Sequence, residues 1–233
     1  MSKHQNKILS LVMGALLLIS MAFVGREAAF YVTGKNVSVA GEEKCVVIDA
    51  GHGGIDPGKV GINGALEKDV NLQIAERVKL YLEAAGVRVV MTREDDAGLN
   101  DANASNKKVQ DMKRRIALID ETAPQVTVSI HQNSYPEEYV HGAQVFYYDG
   151  SARGKLLAEK IQTQLTEKAD PSNQRKVKAN TSYYLLKKTD IPIVIVECGF
   201  LSNNLEAEKL CSPEYQDRVA WAIHMGILQY LNE

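Results

Sequence analysis

The sequence predicts an α/β fold, in which a single domain has a mainly parallel central sheet flanked by helices and is preceded by an N-terminal hydrophobic helix. Short β-branched and apolar runs alternate along the chain with longer segments whose apolar residues recur at helical spacing. Such alternation is typical of parallel strands joined by helices. A length of 233 residues, with 45% hydrophobic and 24% charged residues, suits one domain with a buried core.

The first element is expected to be an export segment. A basic start is followed by an uncharged, mostly apolar run over residues 8–24, which is typical of an export signal and close to the shortest membrane span of about 17 residues. The small-x-small site at 20–22 lies inside this run, so an uncleaved anchor is favoured over a cleaved signal peptide. We assign residues 1–25 to a signal peptide or membrane anchor, 26–41 to a linker and 42–233 to the domain.

The first half of the domain is predicted to contain three strands and two helices. The first helix carries an apolar residue at every fourth position, which marks one buried face, and Gly86 is placed to end it. A polar stretch over residues 93–106 is predicted to be an exposed loop. The strands are Cys45–Asp49, Val87–Thr92 and Gln125–Ile130, and the helices carry Leu66 to Leu82 and Met112 to Ile119.

The second half continues the same alternation. A polar loop is predicted over residues 170–181, and the last helix should turn an apolar stripe inward. The predicted strands are Ala143–Tyr148, a short edge strand Tyr183–Leu186 and the fully apolar Ile191–Val196, and the predicted helices are Lys155–Ala169 and Pro213–Leu231.

Three polar residues follow apolar strands and are candidates for chemistry. These are His52 in a glycine-rich loop, His131 and Glu197. Ligands of open α/β sheets bind beyond the carboxyl ends of the strands, so these side chains can converge. Each residue also has a structural explanation: a surface turn for His52, a hydrogen-bonded core histidine for His131, and a buried ion pair for Glu197.

A fourth candidate, Glu67, begins the first predicted helix, where the helix dipole favours a carboxylate in any case. Two histidines and one carboxylate are the usual protein ligands of catalytic zinc, which keeps a further position for water. A separate glutamate could then move the proton of that water. His52, Glu67, His131 and Glu197 therefore form the parts of a zinc hydrolase.

Net charge and cysteine content exclude other classes of protein. A formal charge of −2 argues against nucleic acid as a partner, since that binding needs an excess of basic side chains. Cys45, Cys198 and Cys211 cannot form a disulfide framework, and the sequence has no CxxC pair for a cysteine zinc site.

Five ordered segments resemble the motifs of the zinc-dependent N-acetylmuramoyl-L-alanine amidases of the amidase-3 family. The segments are Asp49–Gly58, Leu66–Asp69, Met91–Arg93, Ser129–Asn133 and Glu197–Asn203. The resemblance implies cleavage of the amide between N-acetylmuramic acid and L-alanine in peptidoglycan, with Zn²⁺ as the cofactor.

The resemblance also implies roles for individual residues. His52, Glu67 and His131 fall on the zinc-ligand positions and Glu197 on the catalytic glutamate, while Asn133 and Arg115 fall on positions that face or support the substrate. Asp49 is a candidate to accept the N–H of a metal-bound histidine.

Within the family, the chain resembles the germination-specific amidases of the spore cortex. That implies an exported protein, membrane-anchored or secreted to the cell-wall or cortex side, which prepares muramic acid for δ-lactam formation. The interval 134–142 is too short for the inhibitory helix of some division amidases. Control is therefore expected from expression, location or a membrane or lipoprotein partner.

Two other functions are compatible with the sequence. In a thiol hydrolase, Cys198 would be the nucleophile and His131 the base, although Cys198 should face away from Glu197 in an extended segment. In a non-catalytic peptidoglycan-binding module, the same cleft would hold substrate without cutting it.

Overall fold

The computed structural model describes residues 43–233 and the single positions Met13 and Ser20. The expected hydrophobic helix and the boundaries at residues 25 and 41 lie outside the described residues. Across the described positions, no helix combines the length and apolar character needed to cross a bilayer. Residues 43–233 form one compact unit.

A six-stranded sheet forms the centre of this unit, and five of its strands run through the predicted apolar segments. The spatial order is β2–β1–β3–β6–β4–β5. Neighbouring strands are parallel except β4 and β6, which are antiparallel. The strands are β1 (Cys45–Ala50), β2 (Arg88–Met91), β3 (Val126–Asn133), β4 (Gln144–Tyr148), β5 (Lys178–Asn180) and β6 (Ile193–Phe200). The predicted mainly parallel α/β domain is confirmed.

Helices cover both faces of the sheet. The larger core cluster joins alternate residues of β1, β3 and β6 to α1, α3 and α5, and the smaller cluster joins the remaining face to α2 and the 3-10 turn Leu185–Lys187. Strands buried on both faces are apolar throughout, which explains why β1 and β6 lack polar alternation. The helices are α1 (Glu67–Ala84), α2 (Lys107–Thr122), α3 (Ala152–Gln164), α4 (Asn204–Leu210) and α5 (Pro213–Leu231).

Three details of the predicted secondary structure are wrong. Tyr183–Leu186 is not the edge strand, because its leucines turn into the smaller core cluster through the 3-10 turn; β5 lies earlier, inside the predicted polar loop. The short helix α4 was not predicted. His131 and Glu197 do not follow their strands but lie within β3 and β6, because ladder pairing continues past them.

Candidate active site

The carboxyl ends of three adjacent parallel strands bring the candidate residues together. In the β3–β6 ladder, His131 and Glu197 are direct cross-strand partners, so their side chains project from the same face of the sheet. β1 lies on the other side of β3 and ends at Ala50, two residues before His52. Glu67, the first residue of α1, completes the group.

His52, Glu67 and His131 offer three ligand atoms that lie within 4.8 Å of one another. Nε2 of His52 is 3.2 Å from Oε2 of Glu67, and Nδ1 of His131 is 3.0 Å from Oε1 of Glu67. The carboxylate therefore lies between the two rings. Two imidazole nitrogens and one carboxylate oxygen are a suitable donor set for a divalent metal ion.

Glu67 is held in its charged form although it is almost fully buried. Burial would raise the pKa of this carboxyl, but the hydrogen bonds and charges of His131 and His52 outweigh burial and lower the pKa. The backbone N–H groups of Lys59 and Gln132 also donate to the carboxylate, at 2.8 and 3.1 Å. No lysine or arginine side chain in the described chain forms an ion pair with it, so its charge is available to a cation.

The loop after β1 holds His52 in an uncommon backbone conformation. His52 has φ of 62°, a left-handed value that is rare for residues other than glycine and that concentrates at functional sites. Its Nδ1 lies 3.0 Å from Oδ2 of Asp56. This contact orients the ring so that Nε2 is directed at Glu67. The neighbouring Gly51 packs directly against the His131 ring, leaving no space for a Cβ.

Two buried arginines support this loop from beneath. Arg93 donates to the carbonyls of Ala50, Gly51 and Lys68, which ties the end of β1 to the first turn of α1. Arg115 donates to the carbonyls of Ala50 and, at 2.6 Å, of His52. Charged donors satisfy the loop's carbonyls where water cannot reach.

Asp49 pairs with Arg115 rather than with a histidine. Arg115 Nη1 lies 2.6 Å from the Asp49 carboxylate, which also accepts from the Thr92 and Ser129 hydroxyls. Burial would raise the pKa of Asp49, but Arg115 and the two hydroxyls lower it to about 2. Among residues 43–233, Asp49 makes no hydrogen bond with a histidine, and the carboxylate beside His52 Nδ1 is that of Asp56.

Among the four candidate residues, Glu197 is the one with a buried side-chain oxygen that lacks a hydrogen-bond partner in the described structure. It is 7% exposed, and its Oε2 has no hydrogen-bond partner in the described structure. Burial raises the pKa of Glu197 to about 7; Glu67 reinforces the rise and the two histidines oppose it. A carboxyl with a pKa near neutrality can both accept and release a proton during a reaction.

His52, His131 and Glu197 line one cleft of about 390 Å³, and Glu67, which is 2% exposed, contacts the two histidine rings without lining it. The cleft wall includes residues that were not predicted from the sequence: Asp56, Lys107, Lys108, Tyr183 and Tyr184. Asp56 could have been suspected from its spacing, four residues after His52 in the same glycine-rich loop. The lysines and tyrosines carry no local signal, since they join the cleft only through the placement of α2 and the 3-10 turn.

Arg115 and Asn133 occupy different environments. Arg115 is 2% exposed and contacts the cleft from beneath through Asp49 and the His52 carbonyl, which suits support rather than open contact with substrate. Asn133 lies two residues beyond His131, where its side chain accepts from the Ser134 N–H. It is not among the residues that line the cleft.

Cys198 faces away from the cleft. It is fully buried within the larger core cluster, and its thiol contacts the Val196 carbonyl. Burial and the nearby Glu197 raise the pKa of this thiol far above its usual range, which disfavours the thiolate that a nucleophile needs. The structure therefore gives the thiol hydrolase no accessible nucleophile at this position.

Comparison with known proteins gives one consistent family. The N-acetylmuramoyl-L-alanine amidase family matches residues 46–229. A relative from Bacillus subtilis, the germination-specific N-acetylmuramoyl-L-alanine amidase, is 40% identical over 193 residues, which cover 82% of this chain and 81% of the relative.

Solved structures agree with this match. The CwlD amidase of Clostridioides difficile, determined in complex with the GerS lipoprotein, is 39% identical with a TM-score of 0.79, covering 81% of this chain and 98% of that one. The N-acetylmuramoyl-L-alanine amidase AmiC2 of Nostoc punctiforme is 34% identical with a TM-score of 0.73, covering 83% of this chain and all of that one (100%).

Proposed function

The chain belongs to the N-acetylmuramoyl-L-alanine amidase family, and from this premise we propose that it hydrolyses the amide between N-acetylmuramic acid and L-alanine in peptidoglycan, with zinc as its cofactor. The observation that carries the proposal is the convergence of His52, Glu67 and His131 beside the unpartnered carboxylate of Glu197.

The donor set fits zinc. Two nitrogens and one carboxylate oxygen are one of the ligand sets of catalytic zinc, and among residues 43–233 the buried carboxylate of Glu67 has ion-pair contacts with the two histidine rings only. We assign the three residues as the zinc ligands, with Asp56 orienting His52 through Nδ1. When bound, zinc supplies Lewis acidity that polarises a carbonyl group and makes a water molecule more acidic.

We assign Glu197 as the general base and general acid. Its carboxylate is anchored in the sheet next to His131 and its free Oε2 can accept a proton from an attacking water molecule. The same carboxyl can then pass that proton to the amide nitrogen, so that the stem peptide leaves with a neutral amine on L-alanine. Protonation of the leaving nitrogen matters because a deprotonated amine is a very poor leaving group.

Arg115 and Asp49 are assigned supporting roles. The buried pair fixes the end of β1 and the His52 carbonyl, and so holds His52 in its left-handed conformation. Asn133 lies outside the cleft wall and is proposed to support substrate binding indirectly. Its side chain accepts from the Ser134 N–H and so stiffens the turn after β3.

The biological setting is proposed from the relatives. The Bacillus subtilis relative is germination-specific, and the Clostridioides difficile structure contains a lipoprotein. We therefore propose that this chain acts outside the cytoplasm on spore-cortex peptidoglycan, exposing muramic acid for δ-lactam formation, and that a membrane or lipoprotein partner regulates it. The export segment and its anchoring belong to this proposal.

The experiment measures release of stem peptide from purified peptidoglycan, together with bound metal. Wild type with zinc should release peptides with a free L-alanine amine. Glu197→Gln should keep its zinc and lose turnover by about 10²- to 10⁴-fold, the usual contribution of a positioned acid–base group. His52→Ala should lose both zinc and turnover.

Cys198→Ala is the matched control, because it changes the next residue of the same strand on the core side. It should retain most of the turnover, whereas a loss equal to that of Glu197→Gln would favour the thiol hydrolase. If wild type binds peptidoglycan but releases no peptide, with zinc and with a candidate lipoprotein present, the non-catalytic binding module would replace the amidase.

A further inference from the structure

Most charged side chains that line the cleft are already paired inside the protein. Asp49 and Asp111 both contact Arg115, at 2.6 and 2.7 Å. Oδ2 of Asp56 is shared between His52 and Lys108, at 3.0 and 3.3 Å. These charges are neutralised locally and leave little for a substrate.

Two charged residues of opposite sign remain along the cleft wall. Glu197 is assigned to proton transfer. Lys107 is partly buried and forms neither an ion pair nor a side-chain hydrogen bond among residues 43–233. The proposed reaction gives Lys107 no task, so its unpaired ammonium needs another explanation.

The position of Lys107 is electrostatically unfavourable for folding. It is the first residue of α2, Lys108 follows it, and the first turn of this helix has no acidic residue. Lysines near a helix N-terminus are opposed by the positive end of the helix dipole, and acidic residues are favoured there. The ammonium of Lys107, which has no ion-pair partner among residues 43–233, is suited to an anionic part of a ligand.

The cleft differs in charge from one side to the other. α2 contacts β1, whereas the 3-10 turn Leu185–Lys187 contacts β6 and β4, so the two elements flank β3, where His131 lies. On the side of the 3-10 turn, the wall consists of uncharged residues, Tyr183, Tyr184 and Leu185. The ligand is therefore expected to present an anion toward α2 and an uncharged group toward the tyrosines.

We propose that Lys107 determines specificity by binding a free carboxylate of the peptide that follows L-alanine. This inference rests on the proposed amidase function. In peptidoglycan the second peptide residue is D-glutamate with a free α-carboxylate, or D-isoglutamine in which that carboxylate is amidated. The ammonium of Lys107 selects the acidic form, and the uncharged tyrosine side receives the sugar.

The test compares two synthetic muramoyl peptides that differ only in this carboxylate or carboxamide. Wild type should have the lower KM for the acidic substrate. Lys107→Gln should raise that KM about two- to fivefold with little change in kcat, a size set by a partly exposed ion pair, and should leave the KM of the amidated substrate unchanged. Lys107→Glu should reverse the preference.

Lys113→Gln is the matched control, since Lys113 is an exposed lysine of the same helix outside the cleft wall. It should leave both substrates unaffected. Equal KM values of wild type for the two substrates, or an equal rise for both in Lys107→Gln, would overturn the inference.

Measurements of substrate binding test this inference independently of the proposed function. Calorimetry with the Glu197→Gln variant measures the Kd of each uncut substrate, so it does not depend on turnover. Adding Lys107→Gln should weaken binding of the acidic substrate alone, and this loss should shrink at high salt. If wild type cuts neither substrate, the amidase proposal fails, while the two Kd values still decide the role of Lys107.

Discussion

At the scale of single residues, Glu197 shows how the fold keeps a reactive carboxyl. A nearly buried carboxyl whose Oε2 lacks a hydrogen-bond partner in the described structure is costly in its charged form, and burial raises the pKa of Glu197 to about 7. An unfolded glutamate has a pKa near 4.5. The folded protein therefore binds one proton more than the unfolded chain between these two pH values.

This difference predicts that Glu197→Gln stabilises the metal-free protein in a pH-dependent way. The contribution of a group whose folded pKa is raised is present below the unfolded pKa and is lost as pH rises through the folded pKa. We expect the variant to gain on the order of 2 kcal/mol over wild type at pH 8 and much less at pH 5, as measured by urea unfolding after removal of metal.

Glu208→Gln serves as the control, because Glu208 is an exposed carboxylate on the nearby helix α4. It should show no comparable dependence on pH. A Glu197→Gln variant that is equally stable relative to wild type at pH 5 and pH 8 would contradict the raised pKa.

At the scale of elements, a buried arginine ties α2 to the sheet in addition to the apolar contacts of Ile119. Arg115 contacts Asp49 on β1 and the carbonyls of Ala50 and His52, and both partners of the ion pair are buried. The adjacent Arg114 forms an ion pair with Asp101 in solvent. Consecutive arginines of one helix thus make ion pairs in opposite environments.

We predict that Arg115→Gln destabilises the protein by about 3 kcal/mol, because removing one partner leaves the Asp49 carboxylate buried without its cation. Arg114→Gln should change stability little, since exposed ion pairs contribute weakly. Chemical denaturation measures the free energy of unfolding of both variants. The same measurement is made on Asp49→Asn and on the double variant that combines Asp49→Asn with Arg115→Gln. The double variant should lose less than the two single losses together; strict additivity would mean that the two side chains do not act as a pair.

At the scale of the whole molecule, the candidate metal ligands come from three separate elements. His52 follows β1, Glu67 begins α1 and His131 lies in β3. In an unfolded chain these side chains are far apart, so an ion that needs all three binds the folded state. Metal binding and global stability are therefore linked.

We predict that zinc raises the unfolding temperature of the metal-free protein and that a chelator reverses the increase. Free zinc at 1,000 times its Kd should add about 4 kcal/mol to the free energy of unfolding. His52→Ala should abolish the response, and His141→Ala, at an exposed histidine elsewhere, should preserve it. Calorimetry measures the unfolding temperature of each variant with and without zinc. A full zinc response in His52→Ala would refute the assigned ligand set.

The layered α/β architecture could be predicted from the sequence because its signals are local. Apolar runs such as Ile193–Val196 and the four-residue repeat of α1 record burial directly in the chain. The family motifs were likewise local, and they named four residues that the fold brings close together, His52, Glu67, His131 and Glu197. The edge strand was misplaced because β5 is only three residues long and mostly exposed, so hydrophobic pattern carries little information there.

The sequence by itself determined the fold class, the family and the candidate residues, since backbone periodicity and short motifs depend on neighbours along the chain. Only the tertiary structure decided that His52 contacts Asp56, that Cys198 points into the core, and that Lys107 borders the cleft with no ion-pair partner among residues 43–233. Those relations join residues on different elements. Their energies depend on distance and burial in space, which the order of residues along the chain does not fix.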